Sequence, residues 1–154
     1  MPDGLGVLVV ALGAATAFVL WRRRSDGTMR EVGVVSHHPT VDHESTVHIT
    51  AAQIGAPLGP RATLVQFSSA FCQPCRATRQ VLRSVAEMVD GVVHVEIDAE
   101  THLDLVRRLH VKRTPTVFVL DGVGAVRNRA SGTPRKVDVI AALGDFISTE
   151  EGAL

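Results

Sequence analysis

The chain has 154 residues, 45% of them hydrophobic and 21% charged, which leaves room for one ordinary globular domain and an additional segment. Its 16 Lys and Arg residues balance its 16 Asp and Glu residues, and this zero net charge argues against a nucleic-acid-binding protein. The two cysteines, Cys72 and Cys75, would close a very small loop if they were bonded, so such a disulfide would add little stability. A purely structural role for this pair is therefore not expected.

The first predicted element is an apolar segment without charged side chains, residues 4–21. As a helix it would extend about 27 Å, close to the roughly 30 Å thickness of the hydrocarbon core. Trp21 ends the segment, where an indole ring favours the membrane interface, and Arg22, Arg23 and Arg24 follow directly. We predict one transmembrane helix within a membrane anchor that covers residues 1–24.

The charges that flank this segment distinguish an anchor from a cleaved signal peptide, which carries its positive charge before the apolar stretch. Here no Lys or Arg precedes residues 4–21, and the arginines follow them. The positive-inside rule then predicts a single-pass protein of the cell membrane whose C-terminal domain lies in the cytoplasm.

Residues 25–45 lack sustained apolar periodicity and contain glycine and proline, which predicts a linker with a short extended piece at 32–35. A histidine-rich tract can bind metal, but only isolated carboxylates at positions 42 and 44 accompany the histidines. Solvated linker histidines are therefore the favoured interpretation. The residues concerned are His37, His38 and His43.

From residue 46 to residue 150 the sequence alternates between strand and helix patterns, which predicts a single domain. The order is a parallel βαβ half, a further helix, an antiparallel hairpin at Asp121-Gly122 and a final helix capped by Thr133. A mixed sheet covered by helices, of the α/β class, is the natural packing of these elements. The predicted strands cover 46–50, 62–67, 92–98, 116–120 and 125–130, and the longest predicted helix covers 73–89.

Cys72 opens the predicted helix 73–89 directly after a strand and a short turn, and Cys75 lies one turn further on the same face. Free backbone N–H groups and the helix dipole at this position stabilise a thiolate and lower a thiol pKa from about 8.5 toward roughly 7 or below. Pro74 suits the first turn, where no N–H is needed. A zinc site would need two further ligands at comparable spacing, and the chain has no third cysteine. The pattern favours a redox pair over a metal site.

Over residues 46 to about 149 the chain resembles the thioredoxin family. The similarity rests on the strand before the motif, the motif itself, the next core strand, the approach to a cis-proline and a glycine after the hairpin. In this sequence these are 64–67, 71–76, 95–98, 111–116 and Gly132. With the predicted anchor, the chain resembles bacterial membrane-anchored thioredoxin-like proteins with a CxPC motif.

The resemblance implies a thioredoxin fold, a mixed central sheet flanked by helices, preceded here by the transmembrane helix. It also implies that Cys72 attacks substrate disulfides and that Cys75 resolves the mixed disulfide. No cofactor is implied apart from the redox-active disulfide itself. The implied partners are protein disulfide substrates and an upstream thiol reductant.

The resemblance further implies a cis-Pro115 that places the Thr114 backbone against Cys72, where a substrate chain would pair with it. The substrate-binding surface would also include Phe71, Gln73 and Pro74.

Three positions depart from the family pattern. Phe71 replaces the usual tryptophan, and the dipeptide between the cysteines is Gln-Pro instead of Gly-Pro. Gln66 replaces the buried aspartate that in typical members helps to deprotonate the resolving thiol; it can form hydrogen bonds but cannot act as a base. His94 and Glu96 on the neighbouring strand are candidates for a replacement proton relay, or are simply solvated.

Three functions are compatible with these features. The leading one is a membrane-anchored protein-disulfide reductase. The alternative is a non-catalytic thioredoxin-fold binding module at the membrane that uses the Thr114-Pro115 edge. A metal carrier that combines the cysteines with the linker histidines is the least favoured. The presence of both Cys72 and Cys75 favours the enzyme.

Overall fold

The computed structural model describes residues 3–25, 27–31 and 47–150. The helices in these residues are α1 (Asp3–Ser25), α2 (Ala51–Ile54), α3 (Gln73–Ala86), α4 (Leu103–Arg108) and α5 (Lys136–Glu150). The strands are β1 (Arg30–Glu31), β2 (Ala62–Ser68), β3 (Val92–Asp98), β4 (Thr116–Asp121) and β5 (Val126–Ser131).

The strands form one mixed sheet in the order β1-β5-β4-β2-β3. β2 and β3 are parallel because α3 connects them in a crossover, and every other neighbouring pair is antiparallel. All residues of β2 are buried, as expected for a central strand. The predicted α/β class, a mixed sheet covered by helices, is confirmed.

The side chains of β2 alternate between two hydrophobic cores, one on each face of the sheet. Val65 and Phe67 pack in a core that also contains residues of α2 and α4. Leu64 points to the opposite face, where it packs with Leu82 of α3 and Leu143 of α5. The end of β2 that leads into α3 is therefore held from both faces.

The hairpin predicted at Asp121-Gly122 forms, but its turn is longer than two residues. Gly124, and not Gly122, adopts a positive φ of 85°, and its N–H donates to the Asp121 carbonyl at 3.0 Å. The Asp121 carboxylate also accepts from the N–H groups of Val123 and Ala125, at 3.1 and 2.9 Å. A side chain, in addition to the backbone, therefore closes this turn.

The sequence predicted that Thr133 caps the last helix, and this prediction is wrong. α5 begins only at Lys136, and the Thr133 hydroxyl lies 3.2 Å from that of Thr78 on α3. The turn before α5 is thereby attached to the helix that carries the two cysteines.

A short strand lies within the predicted linker, residues 25–45. In β1, Arg30 pairs with Arg129 and Glu31 with Asn128 of β5. The outer edge of β5 offers backbone groups to this segment, so the chain joins the sheet well before residue 46. The extended piece predicted at 32–35 and the three linker histidines lie outside the described residues.

Residues 47–50 do not form the predicted first strand. They contribute one isolated bridge between His48 and Ala125, together with a 2.8 Å hydrogen bond from Ile49 N–H to the Gly124 carbonyl. Helix α2 starts immediately afterwards, and the Thr50 N–H donates to Oε1 of Gln53 at 2.9 Å. Both backbone groups of Thr50 therefore serve the cap of α2 and not a strand pairing.

The helix predicted near the N-terminus is present as α1. Its apolar side chains are exposed, for example 72% for Val10 and 67% for Trp21. Within the described residues, which for the side chains of α1 means 6–21, no helix is both long and apolar enough to cross a membrane. The transmembrane role of this segment stays a prediction.

Candidate active site

Cys72 and Cys75 lie where β2 passes through a short loop into α3. Cys72 is the extended N-cap residue of α3, and Pro74 occupies the first turn. The Cys75 N–H donates to both the carbonyl oxygen and the sulfur of Cys72, each at 3.2 Å. The two cysteines form a disulfide, with their Cα atoms 5.3 Å apart. The sulfur of Cys72 thus lies at the end of the helix where unpaired N–H groups favour a thiolate.

The two cysteines differ in exposure. Cys75 is 2% exposed, whereas Cys72 is half-buried. Phe71, directly before Cys72, is fully exposed, and Gln73 and Pro74 are exposed as well. A substrate can therefore approach Cys72 from solvent more easily than Cys75.

The loop before β4 lies beside the disulfide loop. The Thr114–Pro115 peptide is cis, as the family resemblance implied. The hydroxyl groups of Ser69 and Thr114 are 2.9 Å apart, which joins the two loops. On the other side, the Gly132 N–H donates to the Pro115 carbonyl at 2.8 Å. The residues predicted for substrate binding are thus brought to one end of the sheet.

An open cleft of about 600 Å³ lies beside the disulfide. The end of β2, the active-site loop and the first two turns of α3 line it, and the lining includes both cysteines, Ser68, Arg76 and Arg79. The cleft thus lies along the side of the disulfide that leads to Arg79.

Gln66 lies beneath the active-site helix and is fully buried. Its Nε2 donates to the Cys75 carbonyl at 2.9 Å and to the Ser68 hydroxyl at 2.8 Å. Because a carbonyl can only accept, the amide nitrogen must face Cys75, which fixes the orientation of the amide group. The group below the resolving cysteine is therefore a neutral donor and not a base.

The predicted relay residue His94 lies on the other side of this amide. Its Nε2 is 3.2 Å from the Gln66 Oε1, an acceptor, so Nε2 carries the proton. Burial lowers the pKa of His94 to about 4, so the ring is neutral near pH 7. In this state His94 donates a hydrogen bond to Gln66 and has no direct contact with a cysteine among the hydrogen bonds of the described residues.

Glu96, the other predicted relay residue, is linked to Gln66 through a hydroxyl. Ser68 Oγ donates to Glu96 Oε1 at 2.6 Å, and Arg79 binds the carboxylate with Nε at 2.6 Å and Nη2 at 2.8 Å. Burial by itself would raise the pKa of Glu96, but the hydrogen bonds from Arg79 and Ser68 outweigh it and lower the pKa. Glu96 is therefore an anion that orients the network and is a weak proton acceptor.

Sequence reasoning missed Ser68 and Arg79. The signal for Ser68 was its position two residues after Gln66, which places both side chains on one face of β2. The parallel register sets Gln66 opposite Glu96, and only this pairing brings the three side chains together. For Arg79, the sequence offered only its place one turn after Cys75 on α3.

In the part of the chain that the structure describes, no group of three His, Cys, Asp or Glu side chains is arranged to hold a metal ion.

Comparisons with known proteins give one consistent family. The thioredoxin family model matches residues 50–144, more than half of the chain. A bifunctional thioredoxin reductase/thioredoxin of Mycobacterium leprae is 24% identical over 137 residues, which are 80% of this chain and 30% of that protein. The thioredoxin of Mycoplasma genitalium is 26% identical over 77 residues, 50% of this chain and 74% of that protein. Bos taurus thioredoxin is 31% identical over 58 residues, 38% of this chain and 55% of that protein.

Solved structures show the same fold. A crystal structure of chloroplastic thioredoxin z matches 73% of this chain and 99% of its own, with a TM-score of 0.55 and 25% identity. A thioredoxin from Halobacterium salinarum matches 56% of this chain and 75% of its own, with a TM-score of 0.52. At 18% identity the second structure supports the fold alone.

Proposed function

The chain belongs to the thioredoxin family, and from this premise we propose that it reduces disulfides of protein substrates by thiol–disulfide exchange through Cys72 and Cys75. One observation carries the proposal: the half-buried Cys72 at the N-terminus of α3 forms a disulfide with the buried Cys75, beside an open cleft. No cofactor is needed, because the cysteine pair itself exchanges two electrons.

In the proposed reaction, the Cys72 thiolate attacks a substrate disulfide, forms a mixed disulfide and displaces the first substrate thiolate. The Cys75 thiol then loses its proton and attacks the Cys72 sulfur, which re-forms the Cys72–Cys75 disulfide and releases the second substrate thiolate. The substrate gains two electrons and the protein dithiol loses them. A thiol reductant upstream restores the dithiol.

Reduction of insulin disulfides with dithiothreitol as electron donor tests this proposal. The wild-type protein should accelerate the reaction, while Cys72→Ser should leave it at the rate of dithiothreitol alone. The alternative function, a non-catalytic binding module, is supported by the absence of a base at Gln66. A wild-type rate equal to that of Cys72→Ser would favour the binding module.

We also propose that α1 anchors the protein in the cell membrane as a single span, with the redox domain in the cytoplasm. The proposal is supported by the uncharged residues 4–21, their exposed side chains over 6–21, and Trp21 followed by three arginines. The full chain should float with lipid vesicles and resist extraction by alkaline carbonate. Recovery of the chain in the carbonate supernatant would overturn the anchor.

A further inference from the structure

The segment after α1 is attached to the domain at Gly27. Gly27 is buried, and its N–H donates to the Ser131 carbonyl at 2.9 Å. It adopts a φ of 85°, and an added Cβ would collide with the Thr133 carbonyl group. Backbone therefore packs directly against backbone here, and β1 continues the contact along β5.

This entry point lies at the end of the domain that carries the Cys72–Cys75 disulfide and the cis-Pro115, which we call the redox end. Gly132, next to Ser131, donates its N–H to the carbonyl of the cis-Pro115 at 2.8 Å. The Thr133 hydroxyl donates to the Pro74 carbonyl at 3.4 Å, within the disulfide loop itself. The turn that receives the N-terminal segment thus touches both loops of the candidate active site.

The connection between α1 and this turn is short. α1 extends to Ser25, so a single residue separates the helix from Gly27. Four residues of helix from Trp21 rise about 6 Å, and two extended residues add at most about 7 Å. If Trp21 lies at the membrane boundary, Gly27 lies within about 13 Å of it.

The opposite end of the domain is separated from Gly27 by the length of β5. The exposed Val123 lies in the turn at the far end of this strand, whose residues rise about 3.4 Å each, or ~17 Å in total. The redox end also carries suitable side chains for a membrane surface. Phe71 is fully exposed, and Arg76 is exposed without an ion-pair partner among the described residues.

We infer that the docking of Gly27 and β1 holds the redox end of the domain close to the bilayer surface, so that the substrates are disulfides of membrane proteins that lie within a few residues of a membrane span. The inference rests on the membrane attachment proposed above. It deepens the proposed reduction reaction by naming its substrate class.

Energy transfer from the domain to the bilayer tests the orientation. A fluorophore is attached to Cys72 in a Cys75→Ser variant, and as a matched control to Val123→Cys in a chain that lacks both native cysteines. Each full chain is reconstituted into vesicles of phosphatidylcholine and phosphatidylglycerol that contain rhodamine-labelled lipid. Transfer from position 72 should exceed transfer from position 123. Equal or reversed transfer in protein that floats with the vesicles overturns this inference, whereas failure to float overturns the proposed anchor instead.

A second experiment addresses the substrate class and keeps the fold intact. Twenty Gly and Ser residues are inserted between Ser25 and Asp26, and dithiothreitol serves as reductant. The substrates are a transmembrane peptide with a disulfide loop next to its span and the same loop as a soluble peptide. The insertion should lower the rate on the membrane peptide by about tenfold through a lower effective concentration and leave the soluble peptide unaffected. An unchanged ratio of the two rates overturns the inference.

Discussion

Cys72 and Cys75 share one disulfide but differ in their surroundings. Cys75 is buried, whereas Cys72 is half-buried at the N-terminus of α3. In the reduced protein, iodoacetamide near neutral pH should therefore modify Cys72 first. Cys75→Ser should accumulate stable mixed disulfides with substrates, visible by non-reducing electrophoresis, and Cys72→Ser should accumulate none. Faster modification of Cys75 would reverse the two roles.

In the proposed reaction, we expect Gln66 to make resolution of the mixed disulfide the slow step. Attack by Cys72 needs only its own thiolate. Release of the substrate needs a proton to leave the buried Cys75, and the neutral Gln66 amide that donates to the Cys75 carbonyl cannot accept that proton. Gln66→Asp should introduce a carboxylate whose pKa is raised by burial and by the nearby Glu96, and so provide a base near neutral pH. We expect faster resolution of the mixed disulfide below pH 8 and a loss of stability.

Single-turnover reduction of a model disulfide across pH measures this effect. Gln66→Asn, which keeps a neutral amide, is the matched control and should not accelerate resolution. If Gln66→Asp and wild type show the same rate and the same pH profile, Gln66 only packs beneath the helix and the proton leaves by another route.

His94 links the stability of the fold to pH. Burial lowers its pKa to about 4 from 6.5, so the folded state binds fewer protons than the unfolded state between these values. The free energy of unfolding therefore has its full value above pH 6.5 and falls as the pH decreases toward 4. Discounted for the partial exposure of the ring, this decrease in the free energy of unfolding amounts to about 1–2 kcal/mol. Urea unfolding of His94→Gln should show a weaker dependence on pH between 6.5 and 4.5, and an unchanged slope would contradict this assignment.

At the level of elements, α3 must hold the disulfide loop against the sheet. Its Leu82 is fully buried in the core shared with β2 and α5, and Arg79 binds Glu96 of β3. Leu82→Ala should lower the free energy of unfolding by about 2–5 kcal/mol, because the cavity cannot close completely. The exposed Gln80→Ala on the same helix is the control and should change it by less than about 0.5 kcal/mol. Urea denaturation measures both, and equal midpoints would mean that α3 contributes little to the core.

For the whole molecule, the three arginines in the last turn of α1 predict the side of the membrane on which the domain lies. Alkaline phosphatase, which is active only outside the cytoplasm, should stay inactive when it is fused to the C-terminus. Replacement of Arg22, Arg23 and Arg24 by Asn should raise the phosphatase activity, because the positive charges that retain the C-terminal domain in the cytoplasm are lost. High activity of the unmodified fusion would place the domain outside.

The sequence by itself determined the α/β class, the strands β2 to β5 and the position of the cysteine pair at the start of a helix. These features depend on local patterns, such as period-two alternation, helical spacing and a proline in the first turn. Residues close together in the sequence form these patterns, so the sequence alone shows them. The cis peptide before Pro115 followed from the family resemblance and is present.

Only the tertiary structure decided how distant segments meet. The parallel register sets Glu96 opposite Gln66, which gives Ser68 and Arg79 their partners. The outer edge of β5 pairs with Arg30 and Glu31, which lie in the predicted linker and before its predicted extended piece. The physical reason is the same in both cases. A strand edge and a buried amide both need hydrogen-bond partners, and the residues that provide them lie far away in the sequence.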